Sequence, residues 1–209
     1  MTGRSASQSN RRSRAVESFR NAAETIGPVE PGMALFAVTR GQFSMVDAVL
    51  HVLDCVGPAS VSLWTWTVAD YEITCFTSLM RDGRITAGRL VIDEGARRKN
   101  LPLIQQWRAE FGAESVRYVR NHAKIALVET PDRRVTLRGS MNLNHNPRFE
   151  QLDVTEGGPE FDLIREIEDG LPVLRDDATG AEVFQASRVA EAFGKEQLDM
   201  FRGVKRWAK

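Results

Sequence analysis

Between Met33 and Phe111, short apolar runs alternate three times with stretches of helical spacing. This alternation limits the fold more than any other feature of the chain. Met33–Thr39 (MALFAVT), Val61–Thr67 (VSLWTWT) and Gly88–Asp93 (GRLVID) are rich in β-branched and aromatic groups and read as strands. Between the first two, Phe43, Val46, Val49, Leu50, Leu53 and Val56 recur on one helical face. Gly57-Pro58 stops that helix, and Asp82-Gly83 stops a second one over Asp70–Arg81. A third is predicted over Asn100–Phe111, with Asn100 as its cap. Strands joined through helices cannot pair as hairpins, so the order βαβαβα predicts a largely parallel sheet covered by helices.

Downstream, the pattern changes. Val116–Val119, Ala123–Glu129 and Arg134–Leu137 read as further strands, the last two flanking the turn Thr130-Pro131-Asp132-Arg133. Leu163–Asp169 and Thr179–Arg202 have helical character. The expected class is therefore α/β: a mixed, mainly parallel sheet flanked by helices, with a C-terminal helical extension. Three units are expected: a basic, disordered arm over 1–27, a domain over 28–175 and a C-terminal helical segment over 176–209.

The 209 residues carry no net charge, but the charge is segregated. Residues 1–20 hold five arginines (Arg4, Arg11, Arg12, Arg14, Arg20) against Glu17. Residues 117–150 hold seven basic groups against three acidic, and 153–182 hold ten acidic against two basic. Local charge of this kind bears on partners where the whole-chain value does not. The arm reads as a solvated tail or a phosphate-attracting one. No apolar run is long enough for a membrane span, and no secretory leader is expected. Cys55 and Cys75 are too few for a disulfide framework, so a reduced, cytoplasmic setting is expected. Asp47, His51 and Asp54 share a helical face and read as solvated rather than metal-binding. Trp64 and Trp66 read as sheet packing, and Arg97-Arg98-Lys99 as a loop.

The chemistry lies between Asn121 and Glu150 (NHAKIALVETPDRRVTLRGSMNLNHNPRFE). Alternate residues of a strand share a face, so His122 and Lys124 point the same way. The hairpin returns the chain to the same end of the sheet. There Gly139 is expected to permit a turn bringing the Ser140 hydroxyl and the Asn142 amide near the imidazole. An imidazole can attack phosphorus to form a phosphohistidine, while an ammonium and an amide neutralise the phosphoryl oxygens. Lys124 supplies positive charge, so no metal and no cofactor are expected.

This stretch resembles the HKD motif of the phospholipase D superfamily, written HxK-x4-D-x6-GSxN. His122, Lys124, Gly139, Ser140 and Asn142 match it; Glu129 stands in the Asp position, and nine residues rather than six separate it from Gly139. The upstream SLWTWTVADYEITCFTSLMRDGRITAGRLVIDE is similar to the strand, helix and strand before the motif in small bacterial nucleases of that superfamily. The resemblance implies catalytic roles for His122, Lys124, Ser140 and Asn142. It also implies an acidic group after GSxN to orient the histidine, with Glu150 first and Asp153 as the alternative. Arg120, Arg138 and Asn144 are the candidate substrate contacts. Members with one motif use two copies across a two-fold axis, one His attacking and the other protonating the leaving oxygen. His145 has no Lys two residues on and reads as a loop histidine.

The expected function is thus metal-independent nuclease activity on DNA or RNA through a phosphohistidine at a homodimeric site. The alternatives are a non-catalytic module binding nucleic acid or a partner, and a phospholipid-processing enzyme.

Overall fold

The computed structural model describes residues 12–141, 143 and 147–187. Along the chain the elements are β1 (Arg12–Glu17), α1 (Ala22–Ile26), β2 (Met33–Thr39), α2 (Met45–Val56), β3 (Ala59–Thr65) and α3 (Asp70–Arg81). These are followed by β4 (Ile85–Asp93), α4 (Glu94–Phe111), β5 (Val116–Val119), β6 (Lys124–Glu129), β7 (Arg134–Gly139), β8 (Glu150–Glu156), α5 (Pro159–Asp169) and α6 (Gly180–Ser187). The strands form one eight-stranded sheet in the order β1-β2-β8-β7-β6-β3-β4-β5.

The α/β class and the mixed sheet flanked by helices match the sequence reading. Parallel pairing joins β1 to β2, β3 to β4 and β4 to β5, at the two ends of the sheet. The four pairings between β2 and β3 are antiparallel. The parallel share is therefore smaller than the βαβαβα order suggests. The cause is β8, which lies between β2 and β7 and which the acidic stretch after 150 concealed.

Register sorts the side chains. Leu35, Leu63, Ala126, Leu137, Leu152 and Val154 lie on one face of the sheet and are fully or almost fully buried. They share a single core with Val49 and Val52 of α2, Phe76 of α3 and Trp107 of α4. Phe111 of α4 lies so close to Gly88 of β4 that a Cβ there would overlap its ring. On the opposite face, α5 brings Glu168 to Ser62, Trp64 and Arg89.

Several expectations are corrected. Residues 12–27 are not an arm: β1 pairs along its whole length with β2, and Asn21 caps α1. Its arginines are consumed locally, Arg14 donating to the carbonyls of Thr25 and Ile26, at 2.8 and 2.6 Å. Residues 1–11, with Arg4 and Arg11, lie outside the described residues, as do 188–209. Arg97-Arg98-Lys99 belongs to α4 rather than to a loop. Asn100 is no N-cap; it holds non-helical angles (φ −112°, ψ 15°) at a kink inside α4, two residues before Pro102. A proline removes one helical donor and crowds the preceding turn, which accounts for the break.

Candidate active site

β2, β3, β4 and β5 point their C-terminal ends to one edge of the sheet, and the antiparallel β6 and β8 begin there. Lys124 is the first residue of β6. His122 lies two residues earlier, in the connection from β5, and is exposed rather than on a strand. The pair still meets as expected. The Lys124 Nζ donates to the His122 carbonyl at 2.8 Å and lies 3.2 Å from its Nδ1 and 3.4 Å from its Nε2. The ammonium thus rests at the ring edge, within reach of any anion the imidazole approaches. Burial holds Lys124 below the ordinary lysine range, and the charge of Glu150 works the other way.

Asn121 fixes this connection, and the sequence reading missed it. Its side chain is buried. Its amide donates to the carbonyls of Thr65 and Ala123, at 3.0 and 3.1 Å, and its Oδ1 accepts from the Ala123 N–H at 2.8 Å. Asp93, the N-cap of α4, accepts from the Asn121 N–H at 2.8 Å. His122 is therefore presented by a segment tied to the ends of β3 and β4. The available signal was an asparagine two residues before a backbone donor, the pattern of an Asx turn.

Gly139 and Ser140 do other work than expected. Gly139 ends β7, paired with Lys124 on one side and Leu152 on the other. A Cβ at this position would run into the carbonyl of Gln151. Close approach of backbones, not a turn, requires the glycine. Ser140 then locks β8 in place: its N–H donates to the Gln151 carbonyl at 3.2 Å, and its hydroxyl accepts from the Gln151 N–H at 2.9 Å. The same hydroxyl donates to Glu150. Its partner is the carboxylate, not the imidazole. Glu150 links the two halves of the site, bound to Ser140 and drawn electrostatically to Lys124.

The remaining candidates separate. Asn142, Asn144 and His145 lie outside the described residues. Arg120 donates to Glu94 at 3.0 Å and stacks over Phe184 at 4.9 Å, so it fastens the sheet edge to α4 and α6. Arg138 is exposed on β7, but its register with Ile125 and Asp153 puts it on the face opposite Lys124. Asp153 shares that opposite face. Glu129, at the far end of β6, accepts from Arg165 at 3.1 Å and takes no part in the site. Arg97 is buried and donates to the Ala178 carbonyl at 2.7 Å, which makes it a structural arginine.

His51 bonds to the Gly27 carbonyl at 2.7 Å, Asp47 closes a capping box with Ser44, and Asp54 pairs with Arg84. Among the described residues, no group of three or more His, Cys, Asp or Glu side chains could hold a metal ion. Trp66 is 48% exposed, with its ring centroid 6.1 Å from that of His122, so it is not sheet packing. Trp64 is half-buried and donates to Glu168 at 2.7 Å.

No family model matches this sequence, and no curated protein matches it. Solved structures do match, among them a polyphosphate kinase from Porphyromonas gingivalis. The identity there is 19% and the TM-score 0.49. The match covers 66% of this chain and 26% of that one, so the chain spans about a quarter of that protein's length. These findings overturn the assignment to the phospholipase D superfamily. The motif is matched by no family model and by no curated protein, and a likeness as low as that to the kinase places the chain in no superfamily. Among the described residues, no helix is long and apolar enough to cross a membrane.

Proposed function

We propose that the chain hydrolyses phosphodiester bonds of nucleic acid, with His122 as nucleophile. The observation that carries this reading is the contact between the buried Lys124 ammonium and the His122 ring, with Nζ 3.2 Å from Nδ1. A ring nitrogen attacks phosphorus and displaces the leaving alkoxide, which takes a proton from an acid. Water then attacks the phosphohistidine, the P–N bond breaks, and the imidazole is released. Lys124 binds the non-bridging oxygens as their charge grows. Glu150, aligned by Ser140, keeps the ammonium protonated and placed.

The sequence offers one His-x-Lys pair, and release of the alkoxide needs a second acid. A symmetric homodimer with His122 of both copies at one phosphorus supplies it. The preference for a polyanion over a neutral lipid rests on the excess of basic groups in the sequence over 117–150, of which Lys124 meets the imidazole while Arg120 pairs with Glu94 and Arg138 lies on the opposite face.

The test incubates purified protein with labelled single-stranded DNA, duplex DNA, RNA and phosphatidylcholine, each with and without EDTA. Nucleic-acid cleavage that survives EDTA and disappears in His122→Ala is the expected result. Undiminished cleavage by that variant sinks the mechanism. Mixing in excess His122→Ala subunits should depress activity beyond dilution; a fully active monomer in sedimentation equilibrium refutes the shared site.

A further inference from the structure

Large aromatic side chains stand exposed on both sides of the His122–Lys124 pair. Phe149, immediately before β8, is 66% exposed, and so is Phe19; Trp66, immediately after β3, is 48% exposed. The Arg40 guanidinium lies 3.9 Å over the Phe149 ring and 5.1 Å from the Phe19 ring, and donates to Glu17 at 2.7 Å. The ion pair holds the guanidinium against one face of Phe149. Trp66 meets His122 at an interplanar angle of 49°, a tilted contact that leaves indole surface in solvent.

The strand order sets the spacing. β7 and β6, with Ser140, Lys124 and His122 at their ends, lie between β8 and β3. Adjacent strands are about 4.8 Å apart, so the ends carrying Phe149 and Trp66 are separated by roughly 14 Å. The reacting pair sits between two aromatic platforms on one line along the sheet edge.

From this placement we infer that the site takes single-stranded nucleic acid, with bases on either side of the bound phosphate stacking on Phe149 and Trp66. This rests on the proposed phosphate chemistry for its centre, but its own content is the base contact. Every base offers a π face, and aromatic rings with an arginine behind them bind such faces without regard to sequence. In a duplex each face is already covered by the neighbouring base pair, and only edges are open in the grooves. A phospholipid headgroup offers no flat π surface. Scattered exposed aromatics need no explanation, but two that bracket a buried ammonium along one sheet edge do.

Binding is measured by fluorescence anisotropy in the His122→Ala background, so that cleavage does not intervene. The probes are a labelled oligothymidylate, an abasic oligomer of equal length and charge, and a duplex. Phe149→Ala and Trp66→Ala should each weaken oligothymidylate binding about ten-fold, and leave abasic binding unchanged. Phe149→Tyr, which retains the ring, should restore it. Duplex should bind no better than the abasic oligomer. Equal losses on the abasic probe overturn the inference, since the rings would then serve only the fold. So does duplex binding as tight as single-strand binding. A third overturning result is a change confined to oligomeric state in sedimentation equilibrium, which would make the aromatics a contact between copies. If wild-type protein cleaves nothing while the base-dependent binding persists, the hydrolytic reading fails and this one stands.

Discussion

On the α5 side of the sheet Glu168 is fully buried, and its carboxylate meets four donors. Arg165 and Arg89 reach it at 2.7 and 2.9 Å, Trp64 at 2.7 Å, and the Ser62 hydroxyl completes the set. At the edge carrying His122, the charge is arranged the other way. Lys124 is buried too, yet its ammonium donates to one carbonyl and leans on an exposed imidazole, and the carboxylate that draws it electrostatically, Glu150, is bound to Ser140. A buried charge needs compensation from its surroundings. Glu168 receives it in full from the protein, which leaves nothing for a ligand. Lys124 receives it in part, which leaves donor capacity directed at whatever the imidazole touches. The first group holds α5 to the sheet; the second is left open to an anionic ligand.

Five substitutions at four positions test that contrast. Glu168→Ala leaves two arginines without their shared acceptor, and should lower stability by about 3–5 kcal/mol in urea denaturation. A loss near zero would mean the network is solvated and the contrast false. Lys124→Ala should cost about 2.7–4 kcal/mol of transition-state stabilisation, read as kcat/KM, with little change in the urea midpoint. The pH dependence follows from the depressed Lys124 value. Catalysis needs the ammonium, so activity should fall as pH rises, beginning below the ordinary lysine value of about 10.4. Lys124→Arg stays charged throughout, and should lose this alkaline limb. An unmoved limb would assign it to another group.

Asn121→Ala removes the tie between the His122 segment and β3. It should cost about 1–3 kcal/mol of stability by leaving buried backbone groups unpaired, and should lower kcat more than it raises KM. A stability loss with unchanged kcat would reduce Asn121 to a structural role. The smallest effect is expected at Glu129→Gln. Its ion pair with Arg165 is partly exposed and at the far end of β6, so stability should move by less than about 1 kcal/mol and activity not at all. A large activity loss would bring that end of the strand into the site.

The parts of the fold that were legible in sequence are those whose signal is local. The β6–β7 hairpin turn at Thr130-Pro131-Asp132-Arg133 closes as predicted, with the Thr130 N–H donating to the Arg133 carbonyl at 2.9 Å. α2 lies where its apolar periodicity puts it, and α3 ends where Asp82-Gly83 stops it. Strand β1 was hidden because RSRAVE has little to bury; its partner β2, not its own composition, makes it a strand. In β8, Leu152 and Val154 did alternate with Gln151 and Asp153, but the surrounding acidic charge masked the period of two.

The candidate site divides along the same line. His122 and Lys124 stand two residues apart, so sequence keeps them neighbours, but His122 precedes β6 in a connection held by Asn121, and that connection sets how the ring meets the ammonium. Whether Ser140 serves the imidazole or Glu150, whether Arg120 is free or bound to Glu94, and which face carries Arg138 were decided by strand order and register. Trp66 illustrates the limit. In VSLWTWT it has the composition of a buried strand, but β3 ends one residue before it, and the indole emerges beside His122. Composition reports what a side chain can bury. Where the strand stops, and which neighbours pair beyond that point, are settled by contacts between residues far apart in the chain, and these carry no local sequence signature.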